Sequence, residues 1–135
     1  MIHRLITLVL SLTFAVAAFA TNPRLETMQF FSEQYRRMPN TKVVITSSGS
    51  THRYYSISVS NNEKLEHAIE KAVQNDRARA FNVVETYTTD RTSIVLNIQV
   101  NNCTVSLGYS RDHDSDEEDE TYVKLFVSGP PEAFK

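Results

Sequence analysis

Between residues 23 and 38, apolar side chains recur at helical spacing: Leu25, Met28, Phe31, Tyr35 and Met38. Asn22-Pro23 supplies an N-cap followed by proline at the first helical position, and Pro39 supplies a stop. The pattern therefore predicts a first amphipathic helix over about 23–38. The period then changes to two. Val43, Val44 and Ile45 form a β-branched run within residues 42–46, SSGST provides turn residues, and HRYYSISVS alternates Tyr55, Ile57 and Val59 with Tyr54, Ser56 and Ser58. Two strands joined as a hairpin follow from this alternation. Helical spacing returns with Leu65, Ala68, Ile69, Ala72 and Val73 behind a Ser60–Glu63 capping box, predicting a second helix to about Asp76.

From residue 80 onward the period is again two, in segments 80–88, 93–100, 103–109 and 122–128. Their separators are TTDR, the pair Asn101-Asn102 and an acidic stretch. Asn-Asn suits a two-residue hairpin, since Asn tolerates the positive φ that such turns require. Ile94, Leu96, Ile98 and Val100 share one face, as do Cys103, Val105, Leu107 and Tyr109, and then Val123, Leu125 and Val127. The opposite positions are mostly polar, so the sheet is antiparallel with one buried and one wet face. The expected architecture is α+β in the order α-ββ-α-ββββ, with two amphipathic helices covering the buried face. The tail GPPEAFK reads as loosely attached.

The first twenty residues have the form of an export signal. Arg4 lies in a short basic region, the run from Leu5 to Ala18 is apolar, and Ala18 and Ala20 frame a cleavage site before Thr21. The run is interrupted by Thr7, Ser11 and Thr13 and is shorter than the ~20 residues of a membrane span, so no anchor is expected to remain after cleavage. The expected location is the periplasm or the exterior. Residues 21–135 are the length of one domain, able to enclose a core without metal or disulfide. Cys103 is the lone cysteine, so packing must supply the stability.

Charge adds a polarity that the hydrophobic pattern does not show. Without the leader the chain has 13 basic and 16 acidic residues, a net of −3, and seven of the acids lie between Asp112 and Glu120, so the remainder stands at +4. A mildly basic body thus carries one acidic loop, at residues 110–121. The basic residues are dispersed and not interleaved with aromatics in a stripe, which excludes a nucleic-acid interface as the expected role.

The order of elements resembles the small exported proteins of unknown function found in Gram-negative commensal bacteria. What carries the resemblance is an N-terminal helix, a hairpin, a capped helix running into NDRARAFNV, and a meander ending beside an acidic loop. The stretch EKAVQNDRARAF belongs to the same pattern. The resemblance implies the fold and the export, and it brings no activity and no catalytic residues.

The acidic loop SRDHDSDEEDETY was tested as a calcium site. Counted from Asp112, acids at Asp114 and Asp116 fit a helix-loop-helix calcium loop, but position 6 is Glu117 where glycine is required, and position 12 is Val123 where a bidentate glutamate is required. A looser oxygen site for weak divalent-cation binding is left, from Asp112, Asp114, Asp116, Glu117 and Asp119, with His113 as one nitrogen donor. A solvated loop is the plainer expectation.

Cys103 with His52, His67 or His113 makes a conceivable nucleophile pair for a small hydrolase. Its register with Val105 and Leu107 instead predicts an inert packed thiol. Asn102-Cys103-Thr104 matches a glycosylation triplet at a predicted turn. No phosphate loop, H-E-x-x-H, G-x-S-x-G or C-x-x-C is present, and no cofactor is expected. Tyr54, Tyr122 and Phe126 fall on the wet face, either as a binding surface for a protein or peptide or as stabilising cross-strand pairs. The sequence therefore points to an exported, non-enzymatic module with a binding or structural role.

Overall fold

The structure, a computed structural model, describes residues 24–113 and 121–135. Six strands form one sheet: β1 (Thr41–Ser48), β2 (His52–Ser60), β3 (Ala80–Tyr87), β4 (Arg91–Val100), β5 (Cys103–His113) and β6 (Thr121–Gly129). Every neighbouring pair is antiparallel, in the spatial order β1-β2-β6-β5-β4-β3. β6, the last strand in the chain, lies at the centre between β2 and β5. It joins the N-terminal hairpin to the β3–β4–β5 meander. The α+β reading and the alternation of buried and wet positions hold throughout. Ile57, Val59, Leu96, Ile98, Val105, Leu107, Val123, Leu125 and Val127 are all fully buried on one side of the sheet.

That side is covered by helix α2 (Glu63–Arg77) together with an N-terminal segment that differs from the expected continuous helix. Glu26–Phe31 is a 3-10 helix, Ser32 is extended, and α1 (Glu33–Arg36) is a single α-turn. The reason lies in the spacing of the side chains that must be buried. Thr27 with Phe30, and Met28 with Phe31, stand three apart, which eclipses them on a 3-10 helix. Phe30 and Phe31 are both buried, and two adjacent buried aromatics do not fit the single stripe of an α-helix.

The start of α2 also shifts. Its N-cap is Asn62, whose Oδ1 accepts from the Leu65 N–H at 3.2 Å, while Glu66 Oε2 accepts from the Asn62 N–H at 3.0 Å. The reciprocal cap expected from Ser60 and Glu63 is thus made two residues later, because Ser60 still belongs to β2 and Asn61 takes the positive φ of 53° that turns the chain. Asn101 and Asn102 have φ of 51° and 63°, as the two-residue hairpin demands.

The C-terminal tail is docked. Pro131–Phe134 forms a 3-10 turn, Ala133 is buried, and the Phe134 ring meets Tyr55 edge-on at 4.9 Å. No helix among the described residues is long and apolar enough to cross a membrane.

Candidate functional site

Among the described residues the side of the sheet opposite α2 bears no helix, and strand alternation decides what it displays. One row of positions crosses all six strands in register: Val84, Val95, Gly108, Phe126, Ser56 and Val44. Val84, Val95, Phe126 and Val44 in that row are exposed. The row on one side is polar, running Asn82, Asn97, Ser106, Ser128, Tyr54, Thr46, and the row on the other side runs Thr86, Ser93, Ser110, Lys124, Ser58, Lys42. An apolar stripe thus lies between two hydrophilic ones. At Gly108 an added Cβ would meet nothing within 4 Å, so the stripe dips between Val95 and Phe126.

Over β1, β2 and β6 the same face holds an open groove of about 580 Å³. Its floor is the short outward side chains of β2, Ser56, Ser58 and Ser60. Lys42 and Val44 of β1 form one wall and Tyr122 and Lys124 of β6 the other. Lys42 and Lys124 sit directly across Ser58 from each other, so both ammonium groups flank the middle of the groove.

Of the aromatics expected here, Tyr54 and Phe126 come together with ring centroids 6.1 Å apart, and His52 stacks on Tyr54 at 6.0 Å. Tyr122 stands apart from them, four residues from Phe126 along β6, and lines the groove. The surface therefore has an aromatic patch at one end and a basic, hydroxyl-lined trough at the other.

The acidic connection leaves the sheet beside this trough, where Asp112 of β5 pairs with Tyr122 of β6. Asp112 Oδ1 accepts from Arg91 Nε at 2.7 Å, which neutralises one of the five candidate metal ligands. Asp114, Asp116, Glu117 and Asp119 lie outside the described residues, and so does the His113 side chain. Among the described residues no group of three or more His, Cys, Asp or Glu is placed to hold a metal ion. Cys103 is half-buried on the helix side of the sheet, with Sγ 3.5 Å from the Asn101 carbonyl. Alternation puts His52 on the opposite side of the sheet, and His67 is exposed on α2.

The hydrophobic pattern gave no notice of two buried carboxylates on α2. Asp76 accepts from the Glu26 N–H at 2.8 Å, the Thr27 N–H at 3.0 Å and the Thr27 hydroxyl at 2.8 Å, fastening the 3-10 helix to α2. Glu66, besides capping, accepts from the Thr121 hydroxyl at 2.7 Å. Thr121 is held a second time by Asn61, through Asn61 N–H to the Thr121 carbonyl and Thr121 N–H to Asn61 Oδ1.

The root of the acidic connection is therefore pinned to the start of α2. Around it, Glu70 lies 3.5 Å from Arg111, and Glu66 Oε1, the Tyr109 hydroxyl and Arg111 Nε have no hydrogen-bond partner among the described residues. Burial, with Glu70 second, pushes the Tyr109 phenol up to about 12, so it stays protonated at neutral pH. One signal for both carboxylates was present in the sequence. Glu66, Ile69, Val73 and Asp76 stand three and four apart on one helical stripe, where a charged residue must find a buried partner.

Residues 13–126 match a family of unknown function, DUF6108. No curated protein and no solved structure gives a significant match to the chain.

Proposed function

We propose that this chain, which belongs to the DUF6108 family of unknown function, is an exported, non-enzymatic module that binds a protein or peptide through the open face of its sheet. The observation that carries the reading is the apolar row Val84–Val95–Gly108–Phe126, which no other described residue covers and which runs across the outer face into a groove flanked by Lys42 and Lys124. Contiguous apolar surface rimmed by polar residues is costly to leave in water and is typical of interaction sites. Lys42 and Lys124, with no acidic partner among the described residues, favour carboxylates on the occupant. A trough two strand spacings wide, ~10 Å, matches an extended chain in cross-section. The occupant is thus an extended polypeptide carrying apolar and acidic side chains.

A displayed library of random peptides, selected on the purified protein, tests this. Enriched sequences should combine Asp or Glu with large apolar residues and lose binding to the variants Lys42→Glu/Lys124→Glu and Phe126→Ser. Enrichment of peptides that bind those variants equally well removes the outer face as the site. Export is tested separately by the N-terminal mass of the protein recovered from cells, which should begin at Thr21.

A further inference from the structure

We propose that β3 is a self-association edge, at which two copies of this chain join their sheets antiparallel about a two-fold axis passing through Val84. The sheet has two edges, and they are built differently. β1 carries Lys42 at its second position and ends in Ser47-Ser48, and its flank packs beside α1 and the 3-10 helix. A lysine on the edge and a covering element are both ways of keeping a strand from pairing with a foreign one.

β3 has neither. Its sequence AFNVVETY holds one charge, Glu85, and that charge is engaged by Arg77 of the same chain. Phe81, Val84 and Tyr87 are 60, 52 and 63% exposed. A bulge disturbs pairing between Ala80 and Asn82, but residues 82–87 run in regular register with β4. Their outward-facing N–H and C=O groups have no strand beside them among the described residues, the usual template for adding one more strand.

The occupant follows from the strand's complementarity to itself. A two-fold axis normal to the sheet keeps the helix-covered faces of both copies on the same side, which requires residues of like facing to meet. Centred on Val84, the register sets Val84 against Val84 of the second copy, Val83 against Glu85 and Asn82 against Thr86. No like charges oppose each other. Valine meets valine on the outer face, the Asn–Thr pair is polar on both sides, and each Tyr87 ends the seam beside the bulge that carries Phe81 of the other copy. The apolar row Val84–Val95–Gly108–Phe126 then continues through the axis into the second copy. Phe81 and Tyr87 of both copies, 60 and 63% exposed in the monomer, supply the surface that the seam buries together with the valines and the strand backbones. The trough over β1, β2 and β6 stays open at the far ends of the twelve-stranded sheet, so this assembly is independent of partner binding there.

The test combines mass in solution with register. Sedimentation equilibrium of the purified protein should show the mass doubling as concentration rises. Val84→Lys, which sets two ammonium groups face to face, should remain at the monomer mass with unchanged far-UV circular dichroism and the thermal midpoint of wild type diluted to monomer, whereas Val44→Lys on the other edge should still double. In a Cys103→Ser background, Val84→Cys should form a disulfide-linked dimer on mild oxidation. The axis brings its two Cα atoms to ~4.5–5.5 Å, inside the range that a disulfide spans. Thr86→Cys should not cross-link, since its copies stand ~14 Å apart along the strands. A wild-type mass that stays monomeric to the solubility limit overturns the proposal. So does a folded Val84→Lys that dimerises like wild type, or cross-linking through Thr86→Cys without Val84→Cys.

Discussion

Asp76 shows how one side chain can decide the shape of a whole segment. Three donors from Glu26 and Thr27 converge on its carboxylate, the buried part of a seat that Asn75 extends at the surface by donating to the Glu26 side chain. Asp76→Ala leaves those buried donors unpaired, and it should lower the unfolding free energy by about 3 kcal/mol, read from the denaturant midpoint. Burial raises the Asp76 pKa above its ordinary 3.8, outweighing the hydrogen bonds and Arg79, which pull it down. A raised carboxylate binds its proton more tightly in the folded state, so its contribution to stability grows as pH falls through the folded pKa, is complete below 3.8, and is lost as pH rises. The stability of wild type relative to Asp76→Asn should therefore increase on acidification from neutral pH; a flat difference would show that burial does not control this group. Tyr109 is the contrasting case, a buried hydroxyl with no partner among the described residues. Tyr109→Phe removes an unsatisfied group and keeps the ring, so it should stay within about 1 kcal/mol of wild type or exceed it. The same variant should abolish the tyrosine that ionises last, at about 12, in an absorbance titration.

At the scale of elements, what the sequence made legible depended on whether local and tertiary demands agree. Strand alternation, the Asn101-Asn102 turn and the body of α2 are set by periods and φ preferences that neighbours only reinforce, and they appear where the pattern puts them. The turn gives a direct check: Asn102 has φ of 63°, so Asn102→Ala should cost about 1 kcal/mol while Asn102→Gly costs nothing measurable in urea titration. The N-terminal segment and the tail differ from the pattern for the converse reason. A spacing of three fits both α and 3-10 geometry, and burial of both Phe30 and Phe31, with Asp76 fifty positions away, makes the choice. GPPEAFK looks like a loose end until Tyr55 offers Phe134 a ring and the Asn101 amide lies 3.4 Å from the carbonyls of residues 132 and 133. Neither contact has a local signature.

The whole molecule adds a consequence that no single element contains. Because β6 lies between β2 and β5, the sheet is completed only by the last strand made, and its two faces receive opposite treatment. The helix side is closed by packing. The outer side is left with an apolar row whose one aromatic, Phe126, was legible from alternation, although the row itself was not, since it needs the strand order to exist. Tyr54 against Phe126 is a cross-strand contact worth ~0.2–1 kcal/mol, too little to account for the rest of the row, which extends to strands those rings never touch. Gly108 separates a structural role for this face from a binding one. It lies in the middle of the row, where a Cβ would meet nothing within 4 Å, and its φ is not in the left-handed region. A side chain there is free of steric cost, and replacing a strand glycine generally gains roughly 0.5–1 kcal/mol. Gly108→Lys should therefore keep or raise the thermal midpoint while planting a charged stem across the stripe between Val95 and Phe126. If the row serves only to hold the sheet together, a more stable Gly108→Lys protein will behave like wild type in every binding assay. If the row is the docking surface, the same protein will fold as well as wild type and retain none of the acidic, apolar peptides selected on it.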